Sequence, residues 1–133
     1  MINHIIRMKA RADVTPEQVD EVLECLREQG RVIPEVRSFI VGRDYGSDFE
    51  FGAVFVIEDL AGYWAYLVHP AHGHTDRIGL PLAEQFDTYD VSDDEDPEFG
   101  PKIAELHRRR YQEDPELAAL VAALPQFSGN GAA

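Results

Sequence analysis

The side chains of this sequence best suited to proton transfer are a tyrosine and four histidines. Tyr66, His69 and His72 follow at intervals of three, His74 lies two residues further on, and His4 stands near the start. Imidazole titrates near neutral pH, and a phenol can donate a hydrogen bond to a developing oxyanion, so such a set holds the parts for acid–base work. A continuous helix would place Tyr66, His69 and His72 on one broad face. Pro70 interrupts it, because the residue before a proline avoids helical geometry. His69, His72 and His74 also raise a metal reading, since imidazole is a common transition-metal ligand. Their spacings differ from the i, i+4 pair of helical zinc sites, no cysteine stands nearby and Asp76 is the only close carboxylate, so no metal is expected. A plainer account also fits each residue. His72 can be a helix-start histidine whose ring bonds a neighbouring carbonyl, Tyr66 an amphipathic core tyrosine, and His4 a half-buried strand histidine.

The elements that must position these residues are readable from periodicity. His4 to Lys9 reads as a first strand, with His4, Ile6 and Met8 alternating onto one face. Thr15-Pro16-Glu17-Gln18 has the form of a helix start, with Thr15 as N-cap, Pro16 at the first helical position and Gln18 closing a capping box. Val19, Val22, Leu23 and Leu26 then form one apolar stripe, and Gly30 reads as the C-cap. Val36 to Gly42 predicts a second strand, Arg43 to Phe49 a turn, and the nearly continuous apolar run Phe51 to Ile57 a strand covered on both faces. Asp59 caps a second helix through Val68. A further helical stretch follows from Ala71 to Ala83, kinked or broken at Pro81. Gln85 to Val91 alternates as a last strand, with Phe86, Thr88 and Asp90 on one face. The order β-α-β-β-α-β is that of a ferredoxin-like α+β domain.

Composition bounds the partners. The chain has 133 residues, room for one domain, and 44% hydrophobic residues, an ordinary globular share. Twelve basic against 25 acidic residues leave a net charge of −13, which argues against a nucleic-acid partner. No run approaches the roughly 20 apolar residues of a membrane span and the start lacks a signal-peptide pattern, so a soluble, cytoplasmic protein is expected. Cys25 is the only cysteine, which excludes an intramolecular disulfide.

The charge is uneven, with twelve acids and four bases after position 83. The segment 92 to 98 reads as an acidic tether. Ile103, Leu106 and Arg110 then space like one short helix, and Leu117, Leu120, Val121 and Leu124 like another, opened by Asp114-Pro115. The basic triplet Arg108 to Arg110 is expected to pair with the acids around it. The tail from Ser128 is expected to be disordered. The division is thus a domain over 1–91 and an extension over 92–133.

The strand HIIRMK, the helix TPEQVDEVLECLREQ, the segment IPEVRSFIVGRD and the run AYLVHPAHGH stand in an order and spacing that resemble the stress-responsive A/B barrel (Dabb) family. The HPAH tetrapeptide, Tyr66 before it and IPEVRSF are the specific parts, and the likeness covers about Ile2 to Val91. The resemblance implies a homodimer in which two sheets close a dimeric α/β barrel, and a role in stress response or none yet assigned. One plant member, olivetolic acid cyclase, closes a polyketide by aldol chemistry without a cofactor. By that resemblance His72 is the base and Tyr66 the donor, with His4 and His69 at a pocket for an apolar, carbonyl-bearing molecule. Phe51 stands where that cyclase carries a pocket histidine. Three readings therefore stand: a dimer without catalysis, a cyclase- or isomerase-type enzyme, and a binder of a hydrophobic metabolite.

Overall fold

The computed structural model describes residues 1–132, and in it one sheet carries the helices on a single face. The strands are β1 (Ile2–Ala10), β2 (Val36–Arg43), β3 (Phe51–Ile57), β4 (Ala83–Ser92) and β5 (Gln126–Gly129), in the spatial order β2-β3-β1-β4-β5. The helices are α1 (Pro16–Val32), α2 (Leu60–Val68), α3 (Pro70–Gly79), α4 (Phe99–Glu113) and α5 (Pro115–Ala122). The first four strands pair antiparallel through the central β1, with His4 opposite Phe55 on one side and Asp90 on the other. This is the ferredoxin-like arrangement expected from the sequence.

The period-2 alternation sorts the sheet into two faces. Ile2, Met8, Phe51, Ala53, Phe55 and Ile57 turn inward and join Val22 and Leu26 of α1 and Tyr63, Tyr66 and Leu67 of α2 in one core. The capping box of α1 forms as the sequence predicts, Gln18 N–H donating to Thr15 Oγ1 at 3.2 Å and Thr15 N–H to Gln18 Oε1 at 2.9 Å. Gly30 is not the cap. The helix continues to Val32, and Gly30 packs where a Cβ would lie 2.5 Å from the Phe39 ring. Close approach, not a turn, is what that glycine supplies.

β3 differs from expectation on its outer face. Its residues alternate between buried and half-buried, and Ile40 of neighbouring β2 is 68% exposed. α1 to α3 cover one face only, so the apolar residues of the other meet no layer within this chain.

The extension also departs from expectation. Its two helices form, and Asp114 caps α5. The tail, expected to be disordered, adds β5 as a parallel neighbour of β4, pairing Gln126 with Gln85 through Gly129 with Thr88. Gly129 has φ +99 and lies against Thr88 O, a place closed to any side chain.

Candidate functional site

Tyr66 and His72 come together because the helix between them breaks. Asp59 caps α2, whose Tyr63, Tyr66 and Leu67 point into the core. At His69-Pro70 the backbone turns extended, and α3 restarts with Pro70 at its first position. The break folds His72 back over Tyr66, so that the two rings stack with centroids 4.6 Å apart. Tyr66 is 0% and His72 8% exposed.

Each ring has one hydrogen-bonding function committed and one left over. His72 Nδ1 lies 3.2 Å from Leu67 O, which requires the proton on Nδ1 and leaves Nε2 with its lone pair. The carbonyl bond anticipated for a helix-start histidine is therefore real, and it fixes the tautomer. Burial first, then the Arg110 and His4 charges, hold the His72 pKa well below its ordinary value, so the ring is neutral. The Tyr66 hydroxyl accepts from Gln29 Nε2 of α1 at 2.6 Å, so its own proton is not used in that bond. Burial, then the Asp76 charge, keep that phenol protonated.

Asp76, one turn beyond His72 on α3, puts Oδ2 3.5 Å from His72 Nε2. The same oxygen accepts from Arg110 Nη2 of α4 at 2.6 Å. Burial pushes the Asp76 pKa up and the Arg110 charge opposes it.

A second cluster adjoins the first. His4 Nδ1 is 2.8 Å from Asp90 Oδ1, Tyr63 Oη donates to Asp90 Oδ2 at 3.0 Å, and His107 Nε2 lies 2.8 Å from Tyr63 Oη. Asn130 Nδ2, just past β5, completes the shell of Asp90 at 2.6 Å. Burial alone would raise the Asp90 pKa; the His4 charge and the hydrogen bonds around the carboxylate outweigh it and hold the value down. Burial first, with the His4 charge, takes the His107 pKa down to about 4.

Two small cavities flank the His72–Asp76 pair. One, about 40 Å³, has apolar walls that include Met8, Leu26, Phe51 and Phe86, with Gln29, Tyr66 and His72 as polar groups. The other, about 30 Å³, touches His4, Thr88, His107 and Arg110 under Val121 and Phe127. Two buried side-chain atoms, Gln29 Oε1 and Thr88 Oγ1, have no hydrogen-bond partner among the described residues, and one lies in the lining of each cavity. Buried polar atoms are rarely left so, and either space has room for water.

Of the residues singled out from the sequence, His72, Tyr66, His4 and Phe51 converge here. His69 does not. Its Nδ1 accepts from Ala71 N–H at 3.0 Å, and the ring lines an outer groove with Pro70 and His74. The extended backbone before Pro70 is what turns it away. Among the described residues no three His, Cys, Asp or Glu side chains gather in a way that could hold a metal ion. Gln29, Tyr63, Asp90 and His107 were not anticipated. His107 carried a usable signal, since Ile103, His107 and Arg110 are the buried stripe of α4 at i, i+4, i+7. Each arginine of the basic triplet has an acidic partner: Arg108 with Glu105, Arg109 with Glu113 and Arg110 with Asp76.

Solved structures share this fold. A dimeric ferredoxin-like protein of Thermobifida fusca is 28% identical, with a TM-score of 0.63 over 68% of this chain and 89% of its own. A Dabb family protein of Mesorhizobium loti is 23% identical, with a TM-score of 0.61 over 68% of this chain and 94% of its own. The hydroxynitrile lyase of Passiflora edulis is 15% identical, with a TM-score of 0.63 over 71% of this chain and 94% of its own. No curated protein matches the sequence. Among the described residues no helix is long and apolar enough to cross a membrane. With residues 2–93 matching the stress-responsive A/B barrel domain, most of the chain and the whole four-stranded core are accounted for, and the protein belongs to that family.

Proposed function

We propose that this chain works as a homodimeric barrel whose His72–Tyr66 centre takes a compact, apolar, carbonyl-bearing molecule and handles it by cofactor-free acid–base chemistry. One observation carries the reading. An unprotonated imidazole nitrogen and a phenol whose proton is not used by its Gln29 bond stand stacked on the wall of a cavity that is otherwise mostly apolar. That is the layout of a small-molecule site, in which apolar walls bury the ligand and a few polar groups orient it. His72 Nε2 is the base for a proton beside the carbonyl, and Tyr66 donates to the oxygen on which charge develops. A cavity of about 40 Å³ favours a guest of a few heavy atoms over a polyketide. The fold is also that of a hydroxynitrile lyase, and this likeness supports the scaffold alone.

The test is a titration with short-chain ketones and aldehydes, followed by the NMR signals of the His72 ring and by turnover. Saturable shifts at His72, weakened in Tyr66→Phe, are expected. If the compound is turned over, His72→Ala lowers kcat by roughly 10²–10⁴, the usual share of a general base. Absence of any saturable shift refutes the reading.

The small volume favours one competing account. Ligand pockets usually measure about 300–1,000 Å³, and this one is far smaller. On that account the buried cluster locks the fold, and the protein serves as a stable assembly without turnover. His72→Ala then costs stability and changes no binding.

A further inference from the structure

The segment beyond the family match does more than cover the barrel. α4, α5 and β5 lie past residue 93, and the three similar structures are covered over about nine-tenths of their own length or more, which leaves them too little chain for such an arm. Yet α4 enters the centre of the site. Arg110, 8% exposed, bonds the Asp76 oxygen that faces His72 Nε2, while His107 bonds the Tyr63 hydroxyl on the other side. Val121 of α5 and Phe127 of β5 close the second cavity over these groups.

We propose that Arg110 is a positioning residue of the acid–base centre: by holding Asp76 Oδ2 it sets how that carboxylate meets His72, so the C-terminal arm is a working part of the site. This rests on the reading of His72 as the base. The geometry leaves Asp76 two competing neighbours on one oxygen. Arg110 takes it at 2.6 Å, a charge-assisted hydrogen bond, and His72 stands off at 3.5 Å. While the arginine holds the carboxylate, the imidazole keeps its lone pair for a guest. Without it, Asp76 is left buried beside His72 with no counter-charge, and the pair must share a proton. The ionisable groups gathered around His72 are His4 from β1, Tyr63 and Tyr66 from α2, Asp76 from α3, Asp90 from β4, and His107, Arg110 and Tyr111 from α4. Arg110 is the only arginine or lysine among them. Its charge disfavours the imidazolium, in line with the direction of the His72 shift.

The experiment is an NMR titration of the His72 ring in the ligand-free, full-length protein and in Arg110→Gln, Arg110→Lys and Asp76→Asn. In Arg110→Gln the His72 pKa is expected to rise by about one unit or more, the effect of removing a nearby like charge. In Asp76→Asn, which leaves the arginine without its partner, it falls. Arg110→Lys keeps the charge and stays close to the original protein. A merely structural arginine predicts instead lower melting temperatures with one common His72 titration curve, and that result overturns the proposal. If Arg110→Gln does not fold, Asp76→Asn decides the matter: a His72 pKa equal to the original in that variant overturns it. No ligand enters this measurement. A failure of carbonyl compounds to bind therefore sinks the proposed function and leaves this inference to its own test.

Discussion

At the scale of single residues, burial keeps His72 and His107 of the site uncharged, and that has a cost on acidification. His107 has a folded-state pKa of about 4, against about 6.5 in an unfolded chain. Between those values the unfolded chain binds a proton that the folded one refuses, so stability falls as the pH drops through that window. The slope for one such group is at most about 1.4 kcal/mol per pH unit. His72 acts in the same direction. Asp76, with its pKa raised, acts the other way, since its buried charge costs stability as the pH climbs through the raised value. We expect urea midpoints to fall from pH 7 to pH 5, and His107→Gln to flatten that fall. A variant profile parallel to the original would remove His107 from this account. The sequence offered His4, Tyr66 and His72 as candidates through the segments that resemble the family, and Phe51 through a departure from them; the structure brings these four near one another. Gln29, whose partner Tyr66 is 37 positions away, and Tyr63, whose partner His107 is 44 away, were not anticipated. Such contacts are made by the packing of helices and leave no mark in local spacing.

At the scale of elements, capping and periodicity were legible and coverage was not. Thr15 and Gln18 announced α1 by chemistry that acts within one turn. Thr15→Ala is expected to cost about 1 kcal/mol, read by chemical denaturation. The break before Pro70 was equally local, and it decided that Tyr66 and His72 meet while His69 leaves. The stripe of α5 is buried unevenly: Leu117 is fully buried, whereas Leu120, Val121 and Leu124 are half-buried. Leu117→Ala therefore tests whether the arm is docked. A docked arm loses about 2–5 kcal/mol, the range for a buried leucine cut to alanine, and Leu120→Ala loses less. Equal and negligible losses in both would mean that the arm does not contribute to the folded state. β5 was hidden because four residues with two glycines nearby carry no strand pattern; their partner strand β4 supplies the order.

At the scale of the whole molecule, the sheet has one face too many for its helices. Ile5, Val54 and Val56 stand on the uncovered face beside Ile40, Tyr89 and Val91, of which Ile40 is 68% and Val91 53% exposed. Tyr45, 86% exposed, rises at the rim of the same concave surface. Monomers seldom leave an apolar area of this kind in water, and burying it returns roughly 25 cal/mol per Å². Two routes to cover it exist in principle, edge to edge or face to face. β5 already pairs with the edge of β4, which leaves β2 as the single free edge of the four-stranded core. The apolar residues lie on the face, and only a second sheet laid across it buries them together. The solved relative from Thermobifida fusca is a dimer of this fold, which supports the same solution here. We therefore expect light scattering to give twice the chain mass at micromolar concentration, with an interface of about 1,200–2,000 Å² or more. Ile40→Asp places a charge without a partner among the apolar residues of that face, and is expected to shift the mass toward one chain and make the melting temperature depend on concentration. The substitution leaves the cavity side of the sheet untouched, so the ring signals of His72 should keep their positions. A single-chain mass for the unmodified protein across the whole concentration range would show that the face is tolerated in solvent, and the barrel would have to be given up.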